Sequence, residues 1–156
     1  MQRIATAVWK GGPRTGTGTI NSSSGTLNQL PFAASYSVDE HPCTNPCELL
    51  AAAHASCVTL AVIQELADAG QVPQSVHTDA ILFMDESAGM LRASRSYLDV
   101  RIQGTDMSRE DANRTVTKVL ESCPITQVLR ASVEITTRVD IVPPSLLPPD
   151  ASVRAH

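Results

Sequence analysis

Apolar and polar positions alternate from the start of the chain. Residues 4–9 are rich in strand formers, Gly11-Gly12-Pro13 makes a turn, and residues 15–20 form a second extended segment, so the pattern predicts an opening hairpin. A polar cluster at 21–25 gives another turn. Residues 31–38 are a third strand candidate, followed by a loop over 39–44. Asn45-Pro46-Cys47-Glu48 then starts a helix, with an amide at the N-cap, Pro at the first helical position and Glu at the third to complete a capping box. That helix is predicted to run to about residue 69, where Gly70 and Pro73 stop it, a length of roughly 36 Å. Its early alanines (Ala51, Ala52, Ala53, Ala55) permit close approach on every side, which suits the centre of a fold.

Residues 75–85 and 90–104 both read as strands, joined by a turn over 86–89 into a long hairpin. Leu98, Val100 and Ile102 alternate with Tyr97, Asp99 and Arg101, the pattern of a sheet with one wet face. Ser108 starts a second helix with Ala112, Val116, Val119 and Leu120 on one stripe, ending near Cys123. Pro124 seeds a short third helix through Arg130, and residues 133–142 form a last strand. Four of the ten prolines fall within residues 143–149, where fixed φ and missing donors favour an extended or partly disordered tail. The order predicts an α+β fold with antiparallel pairing: one domain over residues 1–142 and a Pro-rich tail over 143–156.

Composition narrows the function. A chain of 156 residues with 42% hydrophobic and 18% charged positions is globular and of single-domain size. A net charge of −4 and a low aromatic content (3%) provide neither a basic face for phosphates nor stacking platforms, so no nucleic-acid partner is expected. The most apolar stretch, 49–67, is interrupted by His54, Gln64 and Glu65 and has helical period, so no membrane span is expected. No secretory leader pattern follows Met1-Gln2-Arg3, and a cytoplasmic location is the expectation.

The four cysteines, Cys43, Cys47, Cys57 and Cys123, are too few and too irregular for a secreted disulfide scaffold, which directs attention to reactive or metal-binding thiols. Cys57 lies mid-helix. Cys123 immediately precedes Pro124 at a helix start, where unpaired N–H groups favour a thiolate. Two thiols in contrasting positions suggest a redox pair. Their spacing of 66 residues says nothing about whether they meet, and each is equally consistent with a buried small apolar side chain.

The segment Thr44-Asn45-Pro46-Cys47-Glu48-Leu49-Leu50-Ala51-Ala52-Ala53-His54-Ala55-Ser56-Cys57 resembles the central-helix signature of the OsmC/Ohr family, the osmotically induced protein C and organic hydroperoxide resistance proteins. Glu121-Ser122-Cys123-Pro124-Ile125-Thr126-Gln127-Val128-Leu129 resembles its second cysteine motif. Ala7-Val8-Trp9-Lys10-Gly11-Gly12, Ser24-Gly25-Thr26-Leu27 and Val133-Glu134-Ile135-Thr136 fit in the same order, so the resemblance spans residues 4–142 and is closer to the OsmC branch.

The resemblance implies an intertwined homodimer in which a six-stranded sheet from each subunit wraps around long central helices. It implies thiol peroxidase chemistry in which Cys57 attacks the O–O bond of an organic hydroperoxide and becomes a sulfenic acid. Cys123 then condenses with it to a disulfide, and a small dithiol such as a lipoyl protein reduces that bond. No cofactor is implied.

This chain departs from the family at two places. Members carry Glu directly after Asn-Pro, holding an Arg beside the peroxidatic sulfur, and here Cys47 stands there, with Glu48 matching the next acidic or amide position. The Arg that the OsmC branch places before this motif aligns with Ser37. Arg14, after Gly11-Gly12-Pro13, is the best substitute cation, since the Ohr branch carries its active-site Arg after a similar Gly-Gly. It is equally readable as a solvated turn residue, and Glu48 as a capping residue alone.

The site expected from sequence is therefore Cys57, Cys123, Glu48 and Arg14, with a redox sensor or binding protein lacking turnover as the alternative function. A metal site among His41, Cys43, Cys47, His54 and Cys57 meets no standard zinc spacing, and Cys47 and Cys57 lie about 15 Å apart along a helix axis. His54 reads as a polar core residue or pocket wall, and Cys43 with Cys47 as free thiols or a second redox pair.

Overall fold

The computed structural model describes residues 2–13, 15–33, 43–87 and 89–143, which belong to two compact units, Met1–Leu50 and Ala51–His156. In the first, β1 (Ala5–Lys10), β2 (Thr17–Ser22) and β3 (Leu30–Phe32) form an antiparallel sheet in that order. Thr15 and Gly16, expected in β2, belong to the turn instead: the Gly16 N–H donates to the Gly12 carbonyl at 2.8 Å. The Phe32 ring crosses Gly18 so closely that a Cβ there would lie 2.4 Å from a ring carbon, and it meets Trp9 with centroids 5.7 Å apart. Most of the predicted third strand beyond Phe32 lies outside the described residues.

Helix α1 (Pro46–Asp68) begins as its sequence dictates, with the Glu48 N–H donating to the Asn45 side chain at 2.9 Å. At its other end the Gln71 N–H reaches the Leu66 carbonyl (2.8 Å) and the Gly70 N–H the Ala67 carbonyl (2.9 Å), a Schellman closure with Gly70 at φ 72°. Nothing lies within 4 Å of a Cβ added to Gly70, so the cost of a side chain there is conformational only. Gly70→Ala is expected to lower stability by about 1 kcal/mol, read as a fall in the urea midpoint at unchanged slope.

In the second unit β4 (Ser75–Ser87) and β5 (Met90–Gln103) form the expected long antiparallel hairpin, and β6 (Glu134–Val142) pairs with the other edge of β5. That last pairing is parallel, unlike the rest, because the chain returns from β5 through α2 (Arg109–Ser122) and α3 (Pro124–Leu129) before β6. Alternation along a strand fixes which face is buried but leaves its direction open. The six-stranded sheet implied by the resemblance is present here as two three-stranded sheets.

The core joins Val58, Val62 and Leu66 of α1, Leu98, Val100 and Ile102 of β5, and Ala112, Val116, Val119 and Leu120 of α2 around Cys123 and Val139. By length and composition α1 also meets the requirement for a bilayer span, while its inward stripe is covered by these β5 and α2 side chains. Apart from Pro143, the Pro-rich tail lies outside the described residues.

Candidate functional site

Cys123 stands at the break between two helices. Its N–H closes α2 onto the Val119 carbonyl (2.8 Å), its carbonyl accepts the Gln127 N–H of α3 (3.0 Å), and its extended backbone (φ −64°, ψ 120°) is the conformation the following Pro124 requires. The backbone is thus held from both sides, and the side chain enters the core, 1% exposed. Cys57 reaches the same point from α1. The two sulfurs are 2.8 Å apart, with Cys123 placed to donate its S–H, and both are free thiols.

Burial raises the Cys57 thiol above its ordinary pKa, the neighbouring Cys123 raises it further, and the Ile125 N–H opposes both. Burial acts the same way on Cys123, but there hydrogen bonding to Cys57, the Thr126 hydroxyl and N–H, and the Ile125 N–H together outweigh it and bring the thiol down. None of these N–H groups closes a full cap hydrogen bond to the sulfur. They are donors at the open start of α3, and they gain most when the sulfur is ionised. One proton shared between two adjacent sulfurs favours a single negative charge on the pair. Acidity places that charge at Cys123 and accessibility favours Cys57, which is only partly buried.

One turn before Cys57, His54 is 1% exposed, and burial lowers its pKa so that the ring is neutral. Its Nδ1 is 2.9 Å from Ser96 Oγ and its Nε2 3.0 Å from Thr126 Oγ1, which ties α1 to β5 and α3 around the sulfurs. His54 is therefore a polar core residue beside the pair. Ser96 and Thr126 were not singled out from sequence, though both left a signal. Ser96 takes an inward strand position in register with Leu98, Val100 and Ile102, and Thr126 is the third residue of a helix capped by Cys123.

The other expected residues stand apart. Glu48 belongs to the first unit, where its carboxylate accepts the Thr44 hydroxyl at 2.7 Å, the contact that takes the place of the expected capping-box return to Asn45. Arg14, Ser37 and His41 lie outside the described residues. Cys43 and Cys47 are partly buried free thiols. No group of three or more His, Cys, Asp or Glu among the described residues is placed to hold a metal. A cleft of about 620 Å³ in the second unit, lined by Glu65, Asp106, Met107, Asp111, Arg114 and Lys118 among others, contains neither Cys57 nor Cys123.

Two thiols this close can pass between dithiol and disulfide with little movement, provided an oxidant reaches one of them. Residues 39–138, which include both cysteines, match the family model described as OsmC-like protein. The chain belongs to the OsmC family. Peroxiredoxin OsmC of Escherichia coli (strain K12) is 34% identical over 131 residues, 83% of this chain and 90% of that protein. The crystal structure of an organic hydroperoxide resistance protein OsmC from Legionella pneumophila has a TM-score of 0.72 at 23% identity, covering 91% of this chain and 98% of that one. The organic hydroperoxide resistance protein OhrB of Bacillus subtilis gives 0.67 at 25% identity, covering 87% and 97%. The α+β architecture is thus that of OsmC-family proteins, whose members carry the names peroxiredoxin and organic hydroperoxide resistance protein. Within the family match fall Cys57, Cys123 and Glu48, while Arg14 precedes it.

Proposed function

We propose that this protein is a cytoplasmic thiol peroxidase that reduces organic hydroperoxides to alcohols as part of an oxidative stress response, and the 2.8 Å separation of the Cys57 and Cys123 sulfurs is the observation that carries the reading. The Cys57 thiolate attacks one oxygen of the hydroperoxide and the O–O bond breaks. The alkoxide takes a proton and leaves as alcohol, and Cys57 becomes a sulfenic acid. The Cys123 sulfur then attacks the Cys57 sulfur, the S–O bond breaks, and with one proton the hydroxide departs as water. A dithiol reductant such as a lipoyl protein exchanges with the disulfide, restoring two thiols and becoming the oxidised disulfide itself. Access rather than acidity makes Cys57 the nucleophile, since an organic substrate cannot reach a sulfur that is 1% exposed.

The protein works, on this reading, as a homodimer. Leu60, three residues beyond Cys57 on α1, is 69% exposed and Ile63 41%, an apolar surface fit to be covered by a second subunit and to flank the reacting sulfur. Residues 1–142 form one functional domain and 143–156 a tail. Glu48, with Arg14 as the cation, tunes the site.

One observation favours a second reading. Within the second unit the groups acting on Cys57 are Cys123 and the Ile125 N–H, with no cation among them, and the thiol is raised rather than lowered. A redox sensor would react once and stop. Steady-state assay with cumene hydroperoxide and dihydrolipoamide separates the two: many turnovers per subunit are expected, and a single equivalent of alcohol would establish the sensor.

A further inference from the structure

The peroxide chemistry proposed above makes no use of His54, yet this ring makes two buried side-chain contacts beside the sulfurs. Ser96 and Thr126, its partners, are 1% and 0% exposed, so no bulk water competes for these hydrogen bonds. The ring is neutral and therefore carries one N–H and one bare nitrogen. Each hydroxyl has a single proton to give. If Thr126 donates to His54 Nε2, then Nδ1 carries the proton and points it at Ser96, and the Thr126 proton is lost to the sulfur. If Ser96 donates to Nδ1, then Nε2–H donates to Thr126 Oγ1, and the Thr126 proton is left free.

The second direction is the one compatible with the Thr126 hydroxyl acting as a donor toward Cys123, as it does. It gives a one-way chain: Ser96 O–H to His54 Nδ1, His54 Nε2–H to Thr126 Oγ1, and Thr126 O–H to Cys123 Sγ. The titratable groups along these contacts are His54 and Cys57 from α1 and Cys123 at the head of α3, while β5 contributes the Ser96 hydroxyl. We propose that His54, held as its Nε2–H tautomer by Ser96, is a positioning residue that keeps the Thr126 hydroxyl proton aimed at Cys123 when that sulfur is ionised. Its contribution to turnover rests on the peroxidase reading. The direction of the hydrogen bonds does not.

The tautomer is read directly from two-bond proton–nitrogen correlations of His54 in the reduced wild-type protein at neutral pH. Nε2-protonated imidazole is expected, and Nδ1-protonated imidazole would overturn the proposal. The consequence for the sulfur is read from the thiolate absorbance against pH in a background lacking Cys43 and Cys47. Thr126→Val is expected to raise the first thiol ionisation by about one pH unit, or roughly tenfold less thiolate, and Thr126→Ser to restore it. His54→Gln is expected to move it the same way, with the His54→Gln/Thr126→Val double variant no further than Thr126→Val alone. An unchanged titration in Thr126→Val, or additive shifts in the double variant, would contradict it. Neither measurement involves a peroxide, so loss of peroxidase activity as a reading would leave both results standing.

Discussion

Cys57→Ser is expected to lower hydroperoxide turnover by about four orders of magnitude while leaving the protein folded. A serine hydroxyl is not ionised near neutral pH and is a poor nucleophile toward peroxide oxygen. The side chain is only partly buried, so the exchange of sulfur for oxygen disturbs little packing. Cys123 is the more acidic sulfur but is 1% exposed, so it cannot take over the attack on a bulky hydroperoxide. Rates of alcohol formation in the variant and the wild type check this. A variant that keeps its rate would move the nucleophile to another sulfur, with Cys123 first in line.

Cys123→Ser separates the first chemical step from the rest. The Cys57 thiolate still attacks and one equivalent of alcohol forms, somewhat more slowly because the proton-sharing partner is gone. With no resolving sulfur in reach, the sulfenic acid meets further hydroperoxide and goes on to sulfinic acid. Steady-state turnover is expected to fall by about 10²-fold or more, with a gain of two oxygens on the Cys57 peptide as the mark of over-oxidation. Sustained turnover without that mark would mean that the external dithiol, and not Cys123, resolves the sulfenate.

Much of this fold was legible because local rules acted alone. Asn45 and Pro46 start α1 and Gly70 ends it through interactions within a few residues of each terminus. The alternation over residues 97–102 identified the buried face of β5. Direction was not legible: nothing in the alternation of β6 distinguishes a neighbour running with it from one running against it, and α2 and α3 made that choice by carrying the chain back. The pairing of Cys57 with Cys123 was visible only through family resemblance, since a separation of 66 residues carries no spacing signal.

The immediate surroundings of the sulfurs were less legible. His54 reads in isolation as one polar residue on an apolar helix, and its role emerges only when β5 and α3 bring a hydroxyl to each ring nitrogen. Glu48 shows the opposite limit. Its spacing from Asn45 predicted a reciprocal cap, but its carboxylate turns to Thr44, a competitor one residue farther back that the capping rule does not weigh.

The most direct test is peptide mass spectrometry, under non-reducing conditions, of protein treated with one equivalent of an organic hydroperoxide. A linked pair of peptides containing Cys57 and Cys123, two hydrogens lighter than the separate thiols and abolished by a dithiol, is the expected product. Oxidation that leaves these two peptides unlinked, or that joins Cys43 to Cys47 instead, would contradict the account.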